Sequence, residues 1–452
     1  MPERLVIHPL NRGVRPIKII LKVEGGAISG AEVGATHHWD FSKVLMGKDP
    51  MDGIQLTQRM SGIDFTAHAL AAAKALEGIA QSKLTNNARI IRNIALGLDI
   101  IYGHITHYYQ SILPDYIPFP SAGILSNTRG DYRLPPNRVE SMLKNAWRAF
   151  EVRRMIHSIL AIFGGKAPHV CNIIFGGVTR IATGFEIIQA QSMLKEITGF
   201  INNEYAYDLW NIKKVYSEYF NVGTGVQRLL SVGEFPQKEK AEHMITAKAL
   251  INSQSVSIDK SLFGVDVTGS WFEPELEGDD ENSLGTRFKA IPGKSGGYSW
   301  VKGALYDKQT CETGAMPRMY LSGNQNITDL GAGAFSVMGR LRARLEEGVR
   351  LAEQIAVWLE QLNPSEKPDI NGELPETGEG VGLAESSGGA VVHYVSLRGG
   401  KISNYNILDS CSWNARATSQ QGQRGPIEQA LVGIPVSGSD IPVQAYRVAR
   451  SF

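Results

Sequence analysis

The sequence predicts an α-rich α+β fold, with a central bundle of long helices and small peripheral β-sheets. Two observations carry that prediction. Three long stretches repeat apolar residues at steps of three and four. Two alternating, β-branched runs each fold back on a Gly-Gly pair near opposite ends of the chain.

The clearest helical stretch is ARIIRNIALGLDIIYGHITHYYQSI, where Ile94, Leu98, Ile101, Ile105, Tyr108 and Ile112 form one stripe. Asn93, Asp99 and Thr106 fall on the other side, the mark of one member of a packed bundle. A second runs through RVESMLKNAWRAFEVRRMIHSILAIFGG, with Met142, Ala146, Phe150, Met155 and Ile159 on one side and Gly164-Gly165 as its stop. The third, FSVMGRLRARLEEGVRLAEQIAVWLEQLNP, uses Met338, Leu341, Leu345, Ala352, Ile355 and Leu359, and ends at Pro364.

The hairpins are IKIILKVEGGAISGAEV, turning at Gly25-Gly26, and VVHYVSLRGGKISNYNIL, turning at Gly399-Gly400. The two are expected to share a sheet. FEPELEGDDENSLG and NPSEKPDINGELPETGEGVG read as loops. With no internal repeat, low-complexity tract or Pro-rich tether, residues 1–452 read as one bundle-centred domain.

A chain of 452 residues, 43% hydrophobic and 20% charged, has the balance of an ordinary globular protein. Its 46 basic and 45 acidic residues leave a net charge of +1, so no overall field favours nucleic acid, anionic lipid or an acidic substrate. A large, nearly neutral protein suits a place in a complex. Cys171, Cys311 and Cys411 are scattered, which excludes a disulfide framework and a dedicated zinc or iron–sulfur motif and predicts three reduced, packed thiols. No apolar run reaches the roughly 18 to 20 residues of a membrane span, and the start MPERLVIHPLNRG is no signal peptide. The cytoplasm is the default compartment, with export alongside a partner left open.

Among candidate ligands, His104 and His107 sit at i and i+3 on a helix, and His37 and His38 are adjacent. A metal cage needs further converging donors, so His104 and His107 read as helix histidines bonded to neighbours. GGKAPHV and GGVTRIATG lack the spacing of a phosphate loop and read as caps and turns. In RMSGIDFTAH, Arg59 to His68, Ser61 and Asp64 have the spacing of a helix N-cap: a serine oxygen accepting the N–H three positions on, with an acid at the positive end of the dipole.

The same stretch resembles the first signature of [NiFe] hydrogenase large subunits, Arg-x-Cys-Gly-x-Cys-x-x-x-His before an Ala-rich helix. Arg59, Gly62 and His68 match, and the two nickel-binding cysteines fall on Ser61 and Asp64. GKDPMD, FGGKAPHVCNIIFGGVT, VGEFP, YSWVKGALYD, GEGVGLAESSGGAVVHY and SWNARATSQQGQRGPIEQALVG resemble further segments in the family's order, over nearly the whole chain. The resemblance implies the large-subunit fold.

Set against that family, the sequence departs at several working positions. The glutamate implicated in proton transfer falls on Val14, and the arginine that overhangs the metal falls on Gly388, while Glu385, Gly389 and His393 match. A magnesium-binding glutamate falls on Ser42. The family would continue past IPVQAYRVARSF into Asp-Pro-Cys-x-x-Cys and a terminal His, so the second cysteine pair is expected to be missing. Asp115 in LPDY matches a carboxylate near the family's metal.

The expectation is therefore a large subunit with no Ni–Fe centre and its magnesium site lost, in which no residue is catalytic, cofactor-binding or metal-ligating. Ser61, Asp64, His68, Val14, Gly388 and Asp115 would line the vacated cavity. Such a chain would serve as a docking scaffold for an iron–sulfur small subunit of hydrogenase type, with clusters in that partner only and further electron-transfer subunits beyond it. Nucleic acid and a direct membrane span are not expected. A second reading places a quinone or sulfur compound in the cavity, with His37 or His38 adding polar groups. A third is a hydrogenase with unusual ligation.

Overall fold

A computed structural model describes residues 3–10, 15–119, 130–237, 243–276, 280, 282–369 and 372–452. Seven helices position the features discussed below: α1 (Phe65–Ala80), α2 (Asn86–Thr106), α3 (Pro136–Gly164), α4 (Gly184–Phe200), α5 (Ala206–Val215), α6 (Val337–Gln361) and α7 (Val443–Ser451). Helices stand at the centre and short sheets lie around them.

α2 lies at the middle of the bundle. It packs against α1, α3 and α6, and the side expected to be polar is covered as well: Asn93, Asp99 and Thr106 are all buried. Polar groups placed there need partners; Arg92, for example, forms an ion pair with Glu77 of α1 at 2.6 Å. α3 keeps Met142, Ala146, Met155 and Ile159 inside, but Phe150 is 50% exposed and the inner position beside it is taken by Ala149. α6 follows its stripe from a Ser336 cap to Gln361.

Among the described residues, three sheets of three antiparallel strands flank the bundle: β1 (Glu3–Leu10), β2 (Ile17–Glu24) and β3 (Ala27–Ala35); β4 (Leu229–Pro236), β5 (His243–Ile251) and β6 (Gln254–Ser257); β7 (Gly378–Glu385), β8 (Ala390–Arg398) and β9 (Lys401–Leu408). Both glycine hairpins form, with positive φ at Gly25, Gly26, Gly399 and Gly400. They belong to separate sheets, which corrects the shared sheet expected above. Each finds its own apolar cover, so neither needs the other.

The GEGVG run of β7 explains why α1 is rich in alanine. A Cβ on Gly382 would come within 1.9 Å of the Ala71 carbonyl oxygen, and one on Gly380 within 2.1 Å of that of Ala75. Helix and strand therefore touch backbone to backbone. The glycine-rich loops act as caps, as expected: Gly165 ends α3 in the left-handed region, and Thr183 opens α4 with a capping box to Glu186.

Candidate active site

At the start of α1, Ser61 Oγ accepts the backbone N–H groups of Ile63 and Asp64 at 3.2 and 3.0 Å. The serine bond to the N–H three positions on is therefore present, but it closes a turn ahead of the helix and Ser61 is not the N-cap expected from the sequence. Asp64 stands at the N-cap position, yet its carboxylate makes no cap bond. Instead Oδ1 accepts the Ser387 hydroxyl at 2.7 Å and the Ser387 N–H at 3.2 Å. Ser387 lies in the turn between β7 and β8, so β7, laid along α1, delivers this partner.

Asp64 and Gly388 line a cavity of about 450 Å³. Its walls are mostly apolar, from Ile63, Ile105, Ala146 and Ala149 among others, and four arginines reach them: Arg15, Arg153, Arg344 and Arg450. Burial raises the carboxyl pKa of Asp64, opposed by the Ser387 bond and by the charge of Arg344. Cys411, also in the wall, is held as a thiol, burial and then Asp409 pushing its pKa up to about 12.

Arg344, from α6, is the cation nearest in effect to Asp64. Its Nη1 donates to the Ser387 carbonyl at 2.8 Å and faces His104 Nδ1 at 3.4 Å, and its Nη2 bonds the main-chain oxygen of Phe452. Arginine has only donors, so His104 Nδ1 accepts and its Nε2–H donates to Glu347 at 2.7 Å. Burial lowers the His104 pKa to about 4 and that of Arg344 to about 10. His104 is thus a neutral spacer between two charges.

Behind it, Arg318 gives two bonds of 2.6 Å to Glu347 and one of 2.9 Å to Glu385, all three groups fully buried. The unequal sharing separates the two acids. Glu347, despite burial, is held well below the usual carboxylate range by Arg318 and His104. Burial raises Glu385 to about 7, with Arg318 only partly offsetting it.

Ser61, His68 and Asp115 stand outside the cavity lining. His68 Nδ1 meets His393 Nε2 at 3.0 Å, and His393 Nδ1 meets the Tyr405 hydroxyl at 2.9 Å. Burial keeps both rings neutral, His68 at about 4 and His393 well below its ordinary value. Asp115 is buried and holds Arg450 Nη1 with both oxygens, at 2.7 and 2.9 Å. Val14 lies outside the described residues.

His37 and His38 are not brought to this cavity. His37 bonds Thr36, and His38 stacks on Trp300 at 5.1 Å. Ser42 borders a separate pocket of about 50 Å³ that also includes His38 and Lys302. Cys171 is exposed, unlike the packed thiol expected there. At Gly388 a Cβ would come within 2.9 Å of the Ser410 side chain, so the longer residue of the family's pattern has no room without movement of Ser410.

The profile of nickel-dependent hydrogenases matches residues 40–129 and 121–452. The chain belongs to the nickel-dependent hydrogenase family. It is 30% identical to the large subunit of the periplasmic [NiFeSe] hydrogenase of Desulfomicrobium baculatum, over 99% of this chain and 93% of the relative. It is 25% identical to the hydrogenase-2 large chain of Escherichia coli K12, over 100% of this chain and 96% of that one. A crystal structure of the reduced, active Desulfomicrobium baculatum Ni-Fe-Se hydrogenase superposes with a TM-score of 0.94, at 30% identity, over 99% of this chain and 98% of the other.

These matches correct two expectations. A docking scaffold that performs no chemistry is not supported, because the relatives aligned from end to end are named as hydrogenase large subunits. A chain without a Ni–Fe centre is likewise not supported, because the matching family is nickel-dependent and the structures it superposes on are Ni-Fe-Se hydrogenases. Substituted ligand positions are not by themselves proof of lost chemistry.

Tested against the side chains present, the fit to such a centre is poor. The described Asp, Cys and His side chains at the cavity are one carboxylate already bonded to Ser387, one protonated thiol, and His107, whose Nδ1 is buried without a hydrogen-bond partner. Among the described residues, no three His, Cys, Asp or Glu side chains gather as a metal cage. That set does not by itself match the soft thiolate ligation of nickel, so the chemistry derived below is that of the chain's own groups.

Sequence reasoning missed Arg344, Ser387 and the His104–Glu347–Arg318 chain. The signal was in GRLRARLEE, where Arg340, Arg344 and Glu347 recur at helical spacing beside Leu341. Charges on the core-facing side of an amphipathic helix announce a buried network.

Proposed function

We propose that this chain is the large, catalytic subunit of a hydrogenase-type oxidoreductase, and that its own contribution to the reaction is proton transfer at Asp64. The observation that carries the reading is the placement of Asp64: a buried carboxylate of raised pKa at the wall of a mostly apolar cavity, facing a cation. A carboxylate whose protonated form is favoured by burial can hold and pass on a proton while Arg344 steadies its charged form. Ser387 fixes its orientation.

The partner is an iron–sulfur small subunit, with further electron-transfer subunits beyond it. Supporting this, the relatives are named as large subunits or large chains, and Trp147, Phe150, Phe185 and Ile188 stand exposed on α3 and α4. Residues 1–452 act as one domain in this reading. For the compartment, the one pointer is a relative named periplasmic, against the cytoplasmic default. No helix among the described residues is long and apolar enough to cross a membrane.

The test is hydrogen-dependent dye reduction by the purified heteromer. Turnover is expected, with Asp64→Asn lowering kcat by about 100-fold. A heteromer that reduces no dye with hydrogen, or an Asp64→Asn heteromer at full rate, overturns the proposal.

A further inference from the structure

Another wall of the same cavity carries an acid–phenol pair that the proposed reaction does not yet use. α2 does not end at Thr106 but continues as a π-helical turn, His107–Ile112. A second π-helical turn, Ile201–Tyr205, joins α4 to α5. Such turns are rare and frequently mark functional sites, because the extra residue re-aims the side chains around it. Here the two face one another: Tyr108 and Tyr205 have ring centroids 4.6 Å apart, and Tyr109 and Tyr205 6.1 Å.

Tyr109 lines the cavity and is itself only 3% exposed. Its hydroxyl donates to Asp208 Oδ2 at 3.0 Å. Asp208, from α5, is 1% exposed, and Asn145 of α3 donates to both its oxygens at 3.0 and 3.1 Å. No ion pair to Asp208 occurs among the described residues. Glu204, four residues earlier on the same helical face, is half-buried, with an Oε2 that has no hydrogen-bond partner.

We infer that Tyr109 and Asp208 form a proton relay leading out of the cavity toward Glu204, resting on the reading of that cavity as the reaction site. A proton released in the cavity bonds to the Tyr109 oxygen as the Tyr109 O–H proton passes to Asp208. One O–H bond forms and one breaks at the phenol, no electron moves, and the Asp208 carboxylate becomes a neutral acid. Deprotonation toward Glu204 and rotation of the hydroxyl reset the pair.

The titration of Asp208 suits this role. Burial raises its pKa to about 6, helped by the neighbouring Glu204 and opposed by the Asn145 and Tyr109 bonds. Tyr109 stays a neutral phenol, burial and Asp208 both raising it. A carboxyl that changes charge near neutral pH, bonded to a phenol that does not, passes protons in either direction.

The test is infrared difference titration of the full chain, followed by turnover of the heteromer. The protonated Asp208 band is expected to disappear as pH rises through about 6, to be absent in Asp208→Asn, and to shift to higher wavenumber in Tyr109→Phe, which loses its hydrogen bond. In the heteromer, Tyr109→Phe and Asp208→Asn should lower kcat by about tenfold or more with KM unchanged and an altered solvent deuterium effect, and Asp208→Glu should recover part of the loss. A band indifferent to Tyr109, or a Tyr109→Phe heteromer with wild-type kcat and deuterium effect, overturns the relay. A wild-type heteromer without turnover overturns the proposed function instead, and the infrared shift then decides the relay alone.

Discussion

The Ser387 hydroxyl lies 2.7 Å from Asp64 Oδ1 and ties the first residue before α1 to the turn after β7. This bond joins residues 323 positions apart. It sets both the direction in which Asp64 faces and the ease with which it ionises.

Removing that hydroxyl should therefore be felt more at neutral than at acid pH. Asp64 has a folded pKa above its unfolded value, so its contribution favours the fold at low pH and is lost as pH rises. Ser387→Ala takes a donor from the charged form and raises the carboxyl further. The expected loss is roughly 1.5 to 3 kcal/mol at pH 7 and less at pH 4, measured by denaturant unfolding at both.

His104 has the opposite sign. Its folded pKa of about 4 lies below the unfolded value near 6.5, so the folded state binds fewer protons and stability falls as pH drops between those values. Over that window the wild type should lose roughly 2 to 3 kcal/mol relative to His104→Gln, with His68 acting in the same direction in both. Nitrogen NMR should show a His104 ring that is neutral at pH 7, with its proton on Nε2.

Arg318 is shared by two buried acids, Glu347 and Glu385. Arg318→Met would leave Glu347 and Glu385 facing each other without it. The expected destabilisation is about 3 to 5 kcal/mol by chemical denaturation, since breaking one side of a buried pair strands the other charge. Adding Glu347→Gln should return part of it.

Two glycines near α1 should respond in opposite ways to the same change. Gly382→Ala puts a methyl group within 1.9 Å of the Ala71 carbonyl oxygen and should prevent normal folding or lower Tm sharply. Gly78→Ala, exposed on α1 with nothing within 4 Å of its new methyl, should raise stability by roughly 0.5 to 1 kcal/mol. Thermal unfolding of the two variants side by side checks both.

Much of the frame was legible because periodicity reports burial directly. The stripes of α3 and α6 and both glycine hairpins are where alternation and helical stepping put them. Phe150 was misassigned because an aromatic at a core spacing is not forced inward when Ala149 beside it fills the gap. Asn93, Asp99 and Thr106 misled in the other direction: polar residues on a central helix look like a solvent face until the elements packed on them are known. The site was read only in part. Ser61, Asp64 and Gly388 were found through resemblance to a family, whereas the Arg344–His104–Glu347 chain joins α2 and α6 across 240 residues of sequence, a distance that local pattern cannot bridge. The resemblance also led to the claim of an inert scaffold, which the end-to-end likeness to hydrogenase large subunits reversed.

Because α1 meets the bare backbone of β7 at Gly380 and Gly382, the wall that holds Asp64 and Ser387 is the stiff side of the cavity. Any widening needed to admit or release a molecule has to come from the opposite wall, where α3 and the His107–Ile112 turn meet through side chains that can change rotamer. Asp64 would then stay in one place throughout a reaction cycle while Tyr109 travels with the moving wall, so that the distance between proton source and proton exit is set by how far the cavity has opened.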